Sequence, residues 1–242
     1  MINKFTTENG IKVIAITLEQ MKEIDRIAIE ELGPNLYQMM ENAGRNLSEL
    51  SIKVLGEDKK ENVLILAGTG GNGGGGICAA RHLANRGYNV SVCLTDLENL
   101  KEVTAYQMHI LKSTNAKIIS IADLQNEKPD LIIDAIIGYN LNGEPKGNAL
   151  SMIKWISNQL SIVISLDVPS GIDATYGVKS KYFVKPDLTL TLALPKTGLL
   201  PELTGELFLG DLGITQSVYK KVIPSFSNKT FENGYVVPLK IL

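Results

Sequence analysis

The sequence predicts an α/β fold, a three-layer α/β/α sandwich around a mostly parallel central sheet, and three observations predict it. Short apolar runs at Val63 to Leu66, Val90 to Leu94, Leu131 to Ile133, Ile162 to Leu166 and Leu188 to Leu194 lack polar alternation, as strands covered on both faces require. Helix-length segments, Ile77 to Arg86 and Leu100 to Ser113 among them, separate these runs. A stretch with seven glycines in the nine positions from Gly68 to Gly76 follows the first run, where the first strand of a doubly wound, Rossmann-like sheet turns into its helix.

Composition bounds the rest. The 242 residues are 44% hydrophobic and 21% charged, enough chain for a full core and ordinary for a soluble globular protein. With a net charge of -2 and no block of Lys or Arg, neither nucleic acid nor an anionic membrane is an expected partner. No apolar stretch approaches the roughly 20 residues of a bilayer span, and the opening MINKFTTENG has no signal-like core. Two cysteines, Cys78 and Cys93, fit no metal spacing and point to a reduced, cytoplasmic chain, so the sequons at Asn46 and Asn228 read as accidental.

In chain order, Thr17 to Leu32 reads as a helix. Thr17 and Gln20 form a capping box, Met21, Ile24, Ile27 and Ala28 make one apolar stripe, and Gly33-Pro34 stops it. A second helix runs from Leu36 to Leu55, with Met40, Ala43, Leu47, Leu50 and Val54 on one face and Gly56 at its end. The expected organisation is a single domain over 1–242, with N-terminal helices in 1–56 packed on an α/β core in 57–242. Trp155 and the Met39-Met40 pair read as core.

Ligands of such sheets sit beyond the carboxyl ends of the strands. Gly68, Gly70 and Gly73 match G-x-G-x-x-G, and Asp96 ends the next strand, a pattern that dinucleotide dehydrogenases share. The glycines continue through Gly76, however, which predicts a longer and more open loop whose N–H groups lead into a helix at Ile77 and bind an anion. Asp134 ends LIIDA and Asp167 ends VISLD. Each is either a turn former or a crevice carboxylate, and with Asn72 and Ser170 they offer hard oxygen ligands to a cation or an acid/base group. Lys196 reads as an exposed lysine, with phosphate binding as the alternative. His82 and His109 read as structural or solvent-facing, because neither has Cys or carboxylate partners at metal spacing.

Taken together, GTGGNGGGGICAARHL, DLIIDAIIGYNLNGEP, SLDVPSGIDA, LTLALPKTGL and the opening LEQMKEIDRIAIEELG…LYQMMENAGR resemble the NAD(P)H-hydrate epimerase family, the YjeF amino-terminal domain, in the same order from about Thr17 to Gly213. The resemblance implies a Rossmann-like homodimer that interconverts the R and S hydrates of NADH and NADPH (NADHX and NADPHX). That repair reaction serves a dehydratase, here a separate partner, since the chain length implies the stand-alone form. It implies one potassium ion per subunit held by Asn72, Asp134 and Ser170, and a catalytic Asp167 touching the hydrated nicotinamide. It further implies a dinucleotide lined by Gly71, Asn72, Gly73, Gly74 and Gly75 and by Gly138, Tyr139, Asn140, Leu141, Asn142, Gly143 and Glu144. The family loop usually reads Gly-Pro-Gly-Asn-Asn-Gly-Gly-Asp-Gly. Here Thr69 replaces the proline, Gly71 the first asparagine and Gly75 the aspartate. Two alternatives stand beside an active epimerase: a family member reduced to nucleotide or protein binding, and an ordinary nucleotide-dependent oxidoreductase, which leaves the DVPSG segment unexplained.

Overall fold

The computed structural model describes residues 5–56, 59–227, 229–232 and 234–242. One ten-stranded sheet organises them. Its strands are β1 (Phe5–Thr7), β2 (Lys12–Val13), β3 (Asn62–Ala67), β4 (Asn89–Leu94), β5 (Lys117–Ile119), β6 (Leu131–Ala135), β7 (Ile162–Leu166), β8 (Leu188–Leu192), β9 (Glu206–Gly210) and β10 (Val236–Ile241). The helices are α1 (Leu18–Ile27), α2 (Leu36–Leu55), α3 (Gly71–Ala84), α4 (Glu102–Leu111), α5 (Gly147–Ile156), α6 (Pro201–Thr204) and α7 (Gln216–Val222). The spatial order is β2-β1-β10-β9-β8-β7-β6-β3-β4-β5. From β5 to β9 all neighbours pair in parallel, and β10, β1 and β2 extend that sheet in antiparallel fashion.

The central strands are apolar on both faces because both are covered. In β3, Val63, Ile65 and Ala67 join the larger core cluster with α1, α2, α3, α4 and α7, while Leu64 and Leu66 join a second cluster with Met152, Ile153 and Ile156 of α5. The two N-terminal helices fold as expected. Thr17 and Gln20 close the capping box of α1, and Asn35 and Gln38 close a second one at α2. Beyond Ile27 the helix widens into a π turn, Ala28–Leu32, before Gly33-Pro34 ends it. Asn46 is fully buried in α2 and donates to Asp211 O at 2.7 Å, while Asn228 lies outside the described residues.

Two expectations need correction. The division at residue 56 does not separate the sheet, because β1 and β2 precede the helices and pair with β10 at its edge. The glycine stretch is not an open loop either. The loop ends at Gly70, and α3 begins at Gly71 rather than Ile77. Glycine normally disfavours a helix by about 1 kcal/mol relative to alanine, but here close packing requires it. A Cβ at Gly73 would lie 1.9 Å from Gly68 O, one at Gly75 2.9 Å from Leu166 Cδ2, and one at Gly76 2.5 Å from Ala135 Cβ. Across the helix interface, a Cβ on Gly44 of α2 would sit 2.4 Å from Cys78 Cβ. The missing side chains let α3 press against β3, β6, β7 and α2.

Candidate active site

From β3 the chain moves outward to β4 and β5, then crosses back to β6, β7 and β8 on the other side. Where the order reverses, the loops after β3 and β6 diverge and leave a crevice. A cavity of about 450 Å³ occupies it, within the usual range for small-molecule sites. Its walls include Asp25 from α1, Met39 and Met40 from α2, Gly70, Gly71 and Asn72 at the start of α3, Gly138, Tyr139 and Asn140 after β6, and Asp167 and Lys196 beyond β7 and β8.

Asp167 closes β7 with φ at 70°, a left-handed conformation that costs a non-glycine residue about 1–3 kcal/mol. The strand ends there in a tight three-residue turn, since Val168 N–H donates to Leu166 O at 3.0 Å. The neighbouring β8 ends the same way, with Ala193 at φ 62° and Leu194 N–H donating to Leu192 O at 2.7 Å. These paired turns bring two distant segments together. Asp167 Oδ1 accepts from Lys196 Nζ and from Leu192 N–H at 3.3 Å, and Oδ2 accepts from Tyr139 N–H at 3.0 Å. Lys196 also donates to Leu192 O at 2.9 Å and is 1% exposed, so the expectation of an exposed lysine is overturned. Strand adjacency places it against a buried carboxylate, the partner that a buried ammonium requires.

The Tyr139 hydroxyl donates to Asp25 Oδ2 at 2.5 Å, and the Tyr139 ring centroid lies 5.7 Å from Lys196 Nζ. Burial pushes the Asp25 carboxyl up to about 6, and the charge of Asp167 adds to that, while the Tyr139 hydrogen bond and Lys196 pull it down. Burial and the adjacent Asp25 raise the Tyr139 phenol. Sequence reasoning missed Asp25, although a signal was present: it follows Met21 by four positions, a charge beside the apolar stripe of α1.

The other predicted residues divide. Asp134 is fully buried at the end of β6 and accepts from Ser165 Oγ at 2.7 Å, Ser170 N–H at 2.9 Å, Ser170 Oγ at 2.5 Å and Ile136 N–H at 3.3 Å. Burial raises its carboxyl, which those bonds counter in part. Ser170 Oγ in turn accepts from Ile137 N–H at 2.9 Å and lies 3.1 Å from Ile137 O. Asn72, the second residue of α3, meets that turn one residue further along, its amide donating to Leu166 O at 3.1 Å and accepting from Gly138 N–H at 3.3 Å. Gly71, Asn72, Gly138, Tyr139 and Asn140 line the cavity, whereas Gly73, Gly74 and Gly75 are packed against protein. Leu141, Asn142, Gly143 and Glu144 lie off its walls, and Glu144 accepts from Lys181 N–H at 3.0 Å instead. Asp96 faces its own turn, accepting from Glu98 N–H at 3.0 Å and Asn99 N–H at 3.1 Å, so the dehydrogenase reading loses its ribose ligand.

His82 also departs from expectation, because the close α2–α3 approach gives it partners that spacing could not reveal. Its Nε2 lies 2.8 Å from Glu41 Oε1, and Cys78 Sγ lies 3.4 Å from Glu41 Oε2. Arg81 sits among them, 2.5 Å from Glu41, and supplies the cationic partner itself.

The sheet order and the cavity at its reversal define a Rossmann-like α/β protein with a buried carboxylate–lysine pair at the ligand site. Residues 36–198 match the family model described as YjeF-related protein N-terminus, and the chain belongs to that family. A relative from Dehalogenimonas lykanthroporepellens named NAD(P)H-hydrate epimerase is 50% identical over 240 residues, 99% of this chain and 98% of the relative. One of the same name from Nitrosopumilus maritimus is 36% identical over 207 residues, 82% of this chain and 95% of its own length. A bifunctional NAD(P)H-hydrate repair enzyme from Hyperthermus butylicus is 33% identical over 208 residues, and the match spans 38% of that longer chain. The crystal structure of a yeast protein has the same fold, with a TM-score of 0.82 at 24% identity over 93% of this chain and 100% of the other.

Proposed function

We propose that this protein is an NAD(P)H-hydrate epimerase, an isomerase that interconverts the R and S hydrates of NADH and NADPH for repair. The observation that carries the reading is Asp167, held in a strained turn between Lys196 and the Tyr139 N–H at a switch-point cavity of about 450 Å³. Inversion at the hydroxyl-bearing ring carbon requires that centre to open, by loss of water or by ring opening, and to close from the other face. A carboxylate fixed at two points, one of them cationic, is positioned to move a proton at the substrate oxygen. The N–H groups at the start of α3, around Gly70, Gly71 and Asn72, suit the pyrophosphate.

Potassium fits the residues present. Among the described residues no Lys, Arg or His pairs with Asp134, and a buried carboxylate given only neutral donors favours a cation nearby. Asp134, Ser170, Asn72 and the Ile137 carbonyl would hold the ion through hard oxygens. When bound, it supplies fixed positive charge beside the turn that carries Gly138 and Tyr139. A homodimer, a cytoplasmic location and a separate dehydratase partner complete the reading. No described helix is long and apolar enough to cross a membrane.

The test is purified R-NADPHX, incubated with protein and potassium and resolved chromatographically into epimers. Equilibration far above the spontaneous rate, lost in Asp167→Ala, is expected; a folded protein that leaves the spontaneous rate unchanged refutes the function.

A further inference from the structure

A cluster of metal-ligating side chains lies off the walls of the cavity, where α2 meets α3, and the function above does not use it. Cys78 and His82 are four residues apart on α3 and share one helix face, and Glu41 reaches them from α2. A Glu41 carboxylate oxygen, Cys78 Sγ and His82 Nε2 all lie within 4.8 Å of one another. Nε2 is 2.8 Å from Oε1 and Sγ is 3.4 Å from Oε2. A tetrahedral zinc ion, with bonds of about 2.0–2.3 Å, needs its ligand atoms about 3.3–3.6 Å apart, which small side-chain rotations supply here. We propose that Glu41, Cys78 and His82 form a structural binding site for a divalent transition-metal ion, zinc in the first place, that ties α2 to α3.

Arg81 marks the centre of this site. Its Nη2 alone lies 2.7 Å and 2.5 Å from the two Glu41 oxygens, 3.3 Å from Cys78 Sγ and 3.4 Å from His82 Nε2. A nitrogen with two hydrogens cannot satisfy four neighbours, and Arg81 Nε is buried with no hydrogen-bond partner. The guanidinium therefore fills the cation position with a poor fit, whereas a metal ion bonds all three donors at once. The Arg81 side chain is 14% exposed, so its head has a short way out to water. On metal binding the Cys78 S–H bond breaks, its electron pair forms the bond to the ion and the proton leaves to solvent. His82 gives the Nε2 lone pair with its ring proton on Nδ1, Glu41 gives one oxygen, and water completes four-coordination.

Charge and chemistry agree with a divalent ion of this class. Thiolate and carboxylate together balance two positive charges, so a neutral set remains between the helices while the displaced guanidinium is hydrated. Sulfur and imidazole select zinc and its neighbours over magnesium and calcium, which take oxygen ligands. Gly44 makes the approach possible, since a Cβ there would lie 2.5 Å from Cys78 Sγ. The site is two turns along α3 from Gly71 and Asn72, which line the cavity, so the ion would anchor the helix that forms part of the cavity wall.

The experiment titrates wild type, Cys78→Ser, His82→Gln and Arg81→Gln with cobalt(II), the spectroscopically visible stand-in for zinc, using circular dichroism to confirm folding. The chain has two cysteines and two histidines, so Cys93→Ala and His109→Gln complete the controls. Wild type should develop a thiolate-to-cobalt charge-transfer band in the near ultraviolet that saturates at one ion per chain and is bleached by zinc. Cys78→Ser should lose the band, and His82→Gln should weaken binding by more than the roughly 10–100-fold that loss of a supporting residue costs. Both controls should match wild type, and Arg81→Gln, freed of the competing cation, should bind more tightly. Zinc chloride should raise the Tm of wild type and leave that of Cys78→Ser unchanged. A folded wild type that gives no thiolate band with cobalt in excess overturns the proposal, and so does a band that survives in Cys78→Ser. None of these readouts depends on turnover, so the outcome stands apart from the epimerase reading.

Discussion

Alanine substitutions along α3 separate glycines that serve packing from those that serve a ligand. At Gly71 a new Cβ meets only the end of Met40, Sδ at 3.8 Å and Cε at 3.9 Å, both ordinary contacts. Gly71 is the first residue of α3, where the helix preference of alanine acts only in part, so Gly71→Ala should gain up to about 1 kcal/mol and lose nothing. At Gly76 the Cβ would lie 2.5 Å from Ala135 Cβ and 3.3 Å from Ile65 Cγ2, so α3 must lift from the sheet. Overpacking costs about 1–3 kcal/mol, and the helix preference returns at most about 1, so a net loss of about 1–2 kcal/mol is expected. At Gly73 the obstacle is backbone: the Cβ would lie 1.9 Å from Gly68 O and 2.6 Å from its carbon, which no rotamer change relieves. That variant should lose about 3 kcal/mol or more. Urea unfolding of the three variants, analysed by linear extrapolation at constant m, measures the series. If Gly73→Ala and Gly76→Ala match wild type within about 0.5 kcal/mol, packing does not explain these glycines and they answer to a ligand.

Lys196→Met leaves Asp167 as a buried carboxylate without its counter-charge, so thermal denaturation should show a loss of about 3–5 kcal/mol, part of which Asp167→Asn in the same chain restores. Asp25 is held near 6 against an ordinary 3.8, a raised acid whose stabilising effect is complete below about pH 4 and is lost as pH rises through 6. Relative to wild type, Asp25→Asn should therefore gain up to about 3 kcal/mol between pH 4 and pH 7, reduced by the weaker bond to Tyr139, and parallel pH profiles would contradict the shift. Potassium chloride should raise the Tm of wild type over choline chloride at equal ionic strength, and Asp134→Asn should abolish the difference. An equal response in both proteins would remove the ion from that site.

How much of this was legible depends on whether the signal was local. The central strands were, because β3, β4, β6, β7 and β8 are buried on both faces and a parallel sheet shows that as unbroken apolar runs. The added strands were not. β1 and β2 span three and two residues, and β10 carries Pro238, which a reading by propensity treats as a breaker although at that position only β9 pairs with the strand, β1 pairing from Leu239 onward. Helix α3 failed for the opposite reason: its composition argued against a helix, while the contacts that favour it come from β6, β7 and α2, distant in sequence.

The same distinction runs through the site. Asp134, Asp167 and Ser170 were visible because strand ends in a doubly wound sheet are functional positions whatever the loops do. Lys196 was not, since a lone lysine 29 residues after an aspartate carries no sign of partnership until two adjacent strands end in matching left-handed turns. Asp25 lay between these cases. A carboxylate beside the stripe of Met21, Ile24 and Ala28 contradicts that stripe unless something polar waits inside, and Tyr139 is what waits. A charge that spoils an otherwise consistent apolar face is therefore a site signal of the same standing as a glycine loop, and the loop here owes most of its glycines to the helix packing around it.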